Sequence, residues 1–141
     1  MKKTIYIFLI FFISLLLYGC PNNDGHRELF LVNKSGNKIG YQISFGYVSE
    51  ISKDTIFQCN KTSDNLLDND SLFIIESVRR LDWEHELGSN VYVEILILDG
   101  AKFSKYINAP CDSVRQKVPI LHTYRLTLAD VVKANWAIVY R

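Results

Sequence analysis

Ile39-Gly40-Tyr41-Gln42-Ile43-Ser44-Phe45-Gly46-Tyr47 carries the clearest alternation in the chain. Ile39, Tyr41, Ile43, Phe45 and Tyr47 share one face, and Gly40, Gln42, Ser44 and Gly46 the other. A period of two sends successive side chains to opposite sides of a pleated strand, so the stretch predicts a half-buried β-strand. Gly40 and Gly46 suggest a bulge or a close backbone approach. Upstream, Leu29-Phe30-Leu31-Val32 is a compact apolar run, and Asn33 to Lys38 is a polar turn cluster around Gly36. That order reads as strand, hairpin loop, strand.

Downstream, Leu72 to Val78 and Val91 to Leu98 read as strands. The second is apolar on both faces apart from Glu94, which predicts the centre of a sheet covered on both sides. Ile51, Ile56 and Phe57 suggest a short strand, whereas Asn60 to Asp70 has the composition of a loop. A loop of that length in a small domain is often functional. Arg79 to Asn90 mixes charges with Trp83 and reads as a helical turn or a loop. Ala101 to Tyr106 and Asp112 to Gln116 read as short helical turns, separated by the helix-breaking Asn108-Ala109-Pro110.

The carboxyl end is the most legible. Thr127-Leu128-Ala129-Asp130 matches a capping box, with Leu126 and Val131 placed for a hydrophobic staple. Leu128, Val131 and Val132 share a helical face, and Asn135 suits the left-handed residue that ends a helix. Strands from Ile120 to Leu126 and from Trp136 to Tyr140 flank this helix. The pattern predicts a mainly β domain, an antiparallel sandwich or barrel with short helices near the carboxyl terminus, with an α+β layer as the alternative.

Before this domain stand Lys2-Lys3, an apolar run from Ile5 to Tyr18 broken only by Ser14, and Gly19-Cys20. A basic start, a short apolar core and a small residue before a cleavage point make a secretory signal peptide. The run is shorter than the roughly 20 apolar residues that cross a bilayer, and the polar stretch from Pro21 to Gly25 follows at once. The ending resembles the lipobox of bacterial lipoproteins, which implies cleavage before Cys20 and a diacylglyceryl group on its thiol. Residues 1–19 are then the signal, 20–27 the lipidated cysteine and tether, and 28–141 one globular domain. Two or more lipid chains, at about 0.8 kcal/mol per buried methylene, hold a protein stably on a membrane. Pro21 is not the Asp that retains enteric-type lipoproteins at the inner membrane, so the outer membrane is the expected address.

Without Lys2 and Lys3 the chain keeps 14 basic residues against 15 acidic ones. Binding nucleic acid rests on a clustered basic surface, and Arg79-Arg80 is followed directly by Asp82, Glu84 and Glu86, so nucleic acid is not an expected partner. Cys59 and Cys111 remain once Cys20 is lipidated. In an oxidising envelope they suggest a disulfide, which in the chain-entropy model stabilises by roughly 4 kcal/mol. Two small buried thiols too far apart to bond are the alternative.

Tyr124-Arg125-Leu126-Thr127 and Asn135-Trp136-Ala137-Ile138-Val139-Tyr140 resemble the last segment of a group of small Bacteroidetes-type lipoproteins. Val91 to Lys105 also fits their buried strand followed by an Asp and a short helix. Thr123 and Arg141 depart from that pattern, which commonly has Arg and Pro there. The resemblance bears on origin and location and implies no activity.

Asp82-Trp83-Glu84-His85-Glu86 is the densest set of acid-base or metal-capable side chains. On a helix Asp82, His85 and Glu86 could converge while Glu84 could not, and the spacing matches no metal motif, so a solvated charged segment is the reading favoured and no metal or cofactor is expected. His26 reads as tether, and His122 as a ring packed beside its strand. Most tyrosines sit at strand spacing and read as core. Trp83 lies among charges and is, with His85, the candidate ligand contact. No catalytic residue is assigned: there is no nucleophile elbow and no phosphate-cradling glycine loop. The sequence therefore favours a lipid-anchored, non-catalytic binding or structural module with a protein or glycan partner. An envelope hydrolase using carboxylates and His85 is the alternative.

Overall fold

The computed structural model describes residues 25–51, 57–58, 65–77 and 82–141. Strands β1 (Glu28–Asn33), β2 (Ile39–Tyr47), β3 (Leu66–Leu67) and β4 (Leu72–Glu76) precede a short helix α1 (Trp83–Leu87). The central strand β5 (Val91–Asp99) leads into α2 (Gly100–Tyr106) and α3 (Cys111–Lys117), then β6 (Ile120–Leu126), α4 (Leu128–Lys133) and β7 (Ala137–Tyr140). They form a three-stranded sheet ordered β4-β1-β7 and a four-stranded sheet ordered β3-β2-β5-β6. Among the described residues every pairing is antiparallel except that of β1 with β7. The protein is thus mainly β, a sandwich rich in antiparallel pairing with a few short helices.

The core lies between the sheets. Leu29 and Leu31 of β1, Ile75 of β4 and Ile138 of β7 meet Ile39 and Tyr41 of β2 and Val93, Ile95 and Ile97 of β5. A second cluster covers the other side of β5, where Leu96 and Leu98 pack against Phe57, Phe103 of α2, Val114 of α3 and Val118. Double coverage explains why β5 is apolar at almost every position. Its exception, Glu94, is buried opposite Arg125 of β6 and bonds that guanidinium at 2.7 Å. Arg125 also donates to the Ile51 carbonyl.

Coverage also modifies the period-two reading of β2. Its first half is buried on both faces because α2 and its surroundings lie over Gly40 and Gln42, while Phe45 and Tyr47 emerge into solvent. The glycines serve close approach: a Cβ on Gly40 would stand 3.0 Å from the Phe103 ring, and one on Gly46 would overlap the Tyr92 ring.

The expected hairpin between β1 and β2 does not form, since the two strands belong to different sheets. Asn33 is the physical reason. It is fully buried, and its amide nitrogen reaches the carbonyls of Asn37 at 2.7 Å, Leu67 at 3.1 Å and Asp68 at 3.1 Å. Its side-chain oxygen accepts from the Ser35 amide and hydroxyl. One side chain thereby pins two of the places where the chain crosses between sheets, from β1 to β2 and from β3 to β4.

Helix α4 is built as its sequence predicts. Thr127 and Asp130 form the capping box, Val131 is buried, and Leu126 and Leu128 pack beside it. Val132 instead projects outward. Asn135 has φ of 52° and Trp136 φ of 60°, a left-handed pair that turns the chain into β7. Such a φ strains a Trp by about 1–3 kcal/mol, and burial of the indole offsets it.

The outer side of the three-stranded sheet is different. Alternation places Phe30 and Val32 of β1 away from the core, level with Ile74 and Leu72 of β4 and with Ala137 and Val139 of β7. Neither cluster of buried residues includes them, and Leu72, Ile74 and Val139 are 57%, 41% and 39% exposed.

Candidate functional site

His26, expected in the tether, is docked on the domain. Its carbonyl accepts from the Trp83 amide at 2.7 Å, its own amide donates to Glu84 Oε2 at 3.0 Å, and its Nδ1 lies 2.7 Å from Glu84 Oε1. The ring stacks on Trp136 at 4.1 Å with planes 13° apart. Gly25 completes the contact, because a Cβ there would stand 2.2 Å from the Asp82 side chain. Burial pushes the Glu84 carboxyl up, but the hydrogen bonds from His26 and the helix backbone and the nearby imidazole outweigh it and lower the pKa. The Glu84 carboxylate and the imidazole therefore act as a clamp on the entry of the chain into the fold.

This arrangement corrects two expectations. Trp83 is 0% exposed, at the centre of the core near the Phe45 ring, and is not available to a surface ligand. Five-residue helix α1 turns it inward because Asp82 caps the helix by accepting from the His85 amide at 2.9 Å. Glu84, set aside by helical spacing, is the acidic residue that meets a histidine, from the far side of the sequence. His85 is 77% exposed in its side chain, and its Nδ1 comes only to 3.9 Å from Asp82 Oδ1. Among the described residues no group of three His, Cys, Asp or Glu side chains is placed to hold a metal ion.

Cys111 opens α3 and is disulfide-bonded, with its partner sulfur beyond the described residues, where Cys20 and Cys59 lie. Phe57 packs edge-on against Phe103 at 6.1 Å, and its carbonyl accepts from Arg115 Nε at 3.1 Å. The chain two residues before Cys59 is therefore held against the α2 and α3 layer.

Two further surfaces carry polar or aromatic groups. Arg27, Glu28, Glu76 and Ser77 line an open cleft of about 260 Å³ where β1 begins and β4 ends. Glu28 and Glu76 are cross-strand partners there, and like charges in that position repel. At the edges of the two sheets, His122 packs edge-on against Tyr124 at 4.4 Å and lies 6.3 Å from Tyr140. The Tyr124 hydroxyl reaches the Val139 carbonyl at 3.5 Å, and burial, aided by Tyr140, raises its pKa. Tyr41 and Tyr92 are core, whereas Tyr47 is exposed. The assembled groups can clamp, cap and stack, and the cleft can receive a small polar group. No family model, curated protein or solved structure matches this chain.

Proposed function

We propose that this chain is a lipid-anchored, non-catalytic binding or structural module of the bacterial cell envelope, held on the outer membrane through Cys20 and presenting its β-rich domain to a protein or glycan partner. The observation that carries the reading is the leader, a basic start and short apolar core ending in Gly19-Cys20. The clamp of Gly25 and His26 on α1 supports it, because a tether only a few residues long then enters the domain at a defined point. The hydrolase alternative is less well supported: Asp82 and Glu84 are engaged in the cap and the clamp, and His85 stands apart in solvent.

Intact-mass analysis of protein purified from membranes tests the anchor. The expected result is a chain beginning at Cys20 with acyl mass on it; an unmodified cysteine or a retained leader would refute the reading. Affinity capture of the lipidated protein then tests the module, with a specific protein or glycan as the expected outcome. Hydrolysis of an envelope polymer that is lost in His85→Ala would overturn it.

A further inference from the structure

We infer that the outer face of the three-stranded sheet lies against the lipid surface to which the chain is anchored. Phe30, Val32, Leu72, Ile74, Ala137 and Val139 form two adjacent rows across β4, β1 and β7, and none is charged. Leu72, Ile74 and Val139 are exposed and Phe30, Val32 and Ala137 partly so, and an apolar patch on the order of a few hundred Å² is often functional. The length of the leash selects the occupant. From Cys20 to Gly25 the chain spans at most about 18 Å when fully extended. A domain of this size is roughly 35 Å across, so the leash is shorter than the body it holds. Slack is removed because Gly25 and His26 are fixed on α1, and β1, the middle strand of the apolar face, begins directly after them. The surfaces around the start of β1 are therefore kept beside the bilayer, and on this sheet face the first row, Glu28 and Glu76, is acidic while the two rows beyond it are apolar.

Area argues against a second copy of the chain. Three strands about 4.8 Å apart, each offering about 17 Å of length, project a footprint on the order of 250 Å², far below the roughly 800 Å² per partner of a stable dimer. A surface that is already tethered needs no such area, because the anchor supplies a high local concentration. The rim sets the lipid class. Glu28 and Glu76 stand at one end beside Arg27, and the ion pair of Lys34 with Asp70 at the other, a slightly acidic border that suits a zwitterionic surface better than an anionic one.

The inference rests on the anchored reading above, and its test separates the two. Full-length lipidated protein carrying Ile74→Trp, or Gln116→Trp on α3 in the opposite layer, is reconstituted into phosphatidylcholine vesicles with brominated acyl chains. Trp83 and Trp136 are buried and provide a constant background. Flotation with the vesicles reports the anchor; its failure refutes the anchored reading and this inference with it. Given flotation, the expected result is a loss of roughly half the added emission for Ile74→Trp and almost none for Gln116→Trp, as for a face seated at the headgroup boundary. Equal quenching of the two variants would overturn the inference. So would an Ile74→Trp emission untouched by bromolipid yet shielded from aqueous iodide, which would identify a protein cover instead.

Discussion

Replacing Asn33 with alanine removes the side chain that holds two of the crossings between the sheets, β1 to β2 and β3 to β4. Its amide nitrogen has two hydrogens for three carbonyls at 2.7, 3.1 and 3.1 Å, so about two net hydrogen bonds are lost at about 1 kcal/mol each. The Leu67 carbonyl sits in the buried part of that set, and leaving it unpaired adds about 1–3 kcal/mol. The bonds from Ser35 to the side-chain oxygen lie nearer solvent and water replaces them at little cost. The expected destabilisation is therefore about 3–5 kcal/mol, a large share of the 5–15 kcal/mol typical of a domain. With a urea m-value of about 1.5 kcal/mol/M, the midpoint falls by about 2–3 M. Asn33→Asp is expected to be worse at neutral pH, because an acceptor then faces three carbonyl oxygens. Equilibrium urea unfolding of the oxidised protein, followed by far-UV circular dichroism, reads both variants. A loss below about 1 kcal/mol for Asn33→Ala would refute the view that this side chain holds the two sheets in their relative order.

Arg125→Met removes the guanidinium paired with the buried Glu94 carboxylate and is expected to cost about 3–5 kcal/mol, whereas Glu94→Leu with Arg125→Met recovers most of it; denaturation of the single and double variants checks the cycle. His26→Ala and Glu84→Gln each release the clamp for about 0.5–1 kcal/mol, since the pair is half-exposed, and they accelerate amide exchange in residues 25–28. Thr127→Ala removes one side of the capping box and is expected to lower stability by about 1 kcal/mol in thermal unfolding. Hydrogen bonds from the Thr127 side chain and backbone lower the Asp130 pKa, as those of His26 lower that of Glu84. Both groups are more acidic folded than unfolded. Their contribution is complete above the ordinary values of 3.8 and 4.5 and is lost as pH falls through the lowered folded values, so wild-type protein loses more stability on acidification than Glu84→Gln.

Local signals in the sequence carried far, and long-range ones did not. The apolar run of β5, the helical turns after Gly100 and Cys111 and the capping box of α4 are each determined by neighbours within a few positions. The partition of β1 and β2 into different sheets depends on Asn33 meeting Leu67 and Asp68, contacts that no turn composition around Gly36 announces. Trp83 was misplaced for a similar reason: charge on either side suggested solvent, but a single helical turn separates an inward residue from outward neighbours. The clamp was illegible because His26 and Glu84 are 58 positions apart. Asp82 as a helix cap, with Glu84 in the first turn, is the local signal in the sequence that marks α1. Asn135 was legible because asparagine adopts the left-handed conformation readily; Trp136, which shares it, gave no such signal.

The parallel seam between β1 and β7 makes the first strand of the domain wait for the last. Leu31 is flanked on one side by Ile138, so half of its neighbourhood exists only after nearly the whole polypeptide has been delivered. A chain delivered amino end first therefore cannot complete this sheet until its last strand has emerged, and its assembly carries the slow kinetics of distant strand pairing. Truncation before Ala137 would leave β1 with a bare margin, open to the strands of other molecules.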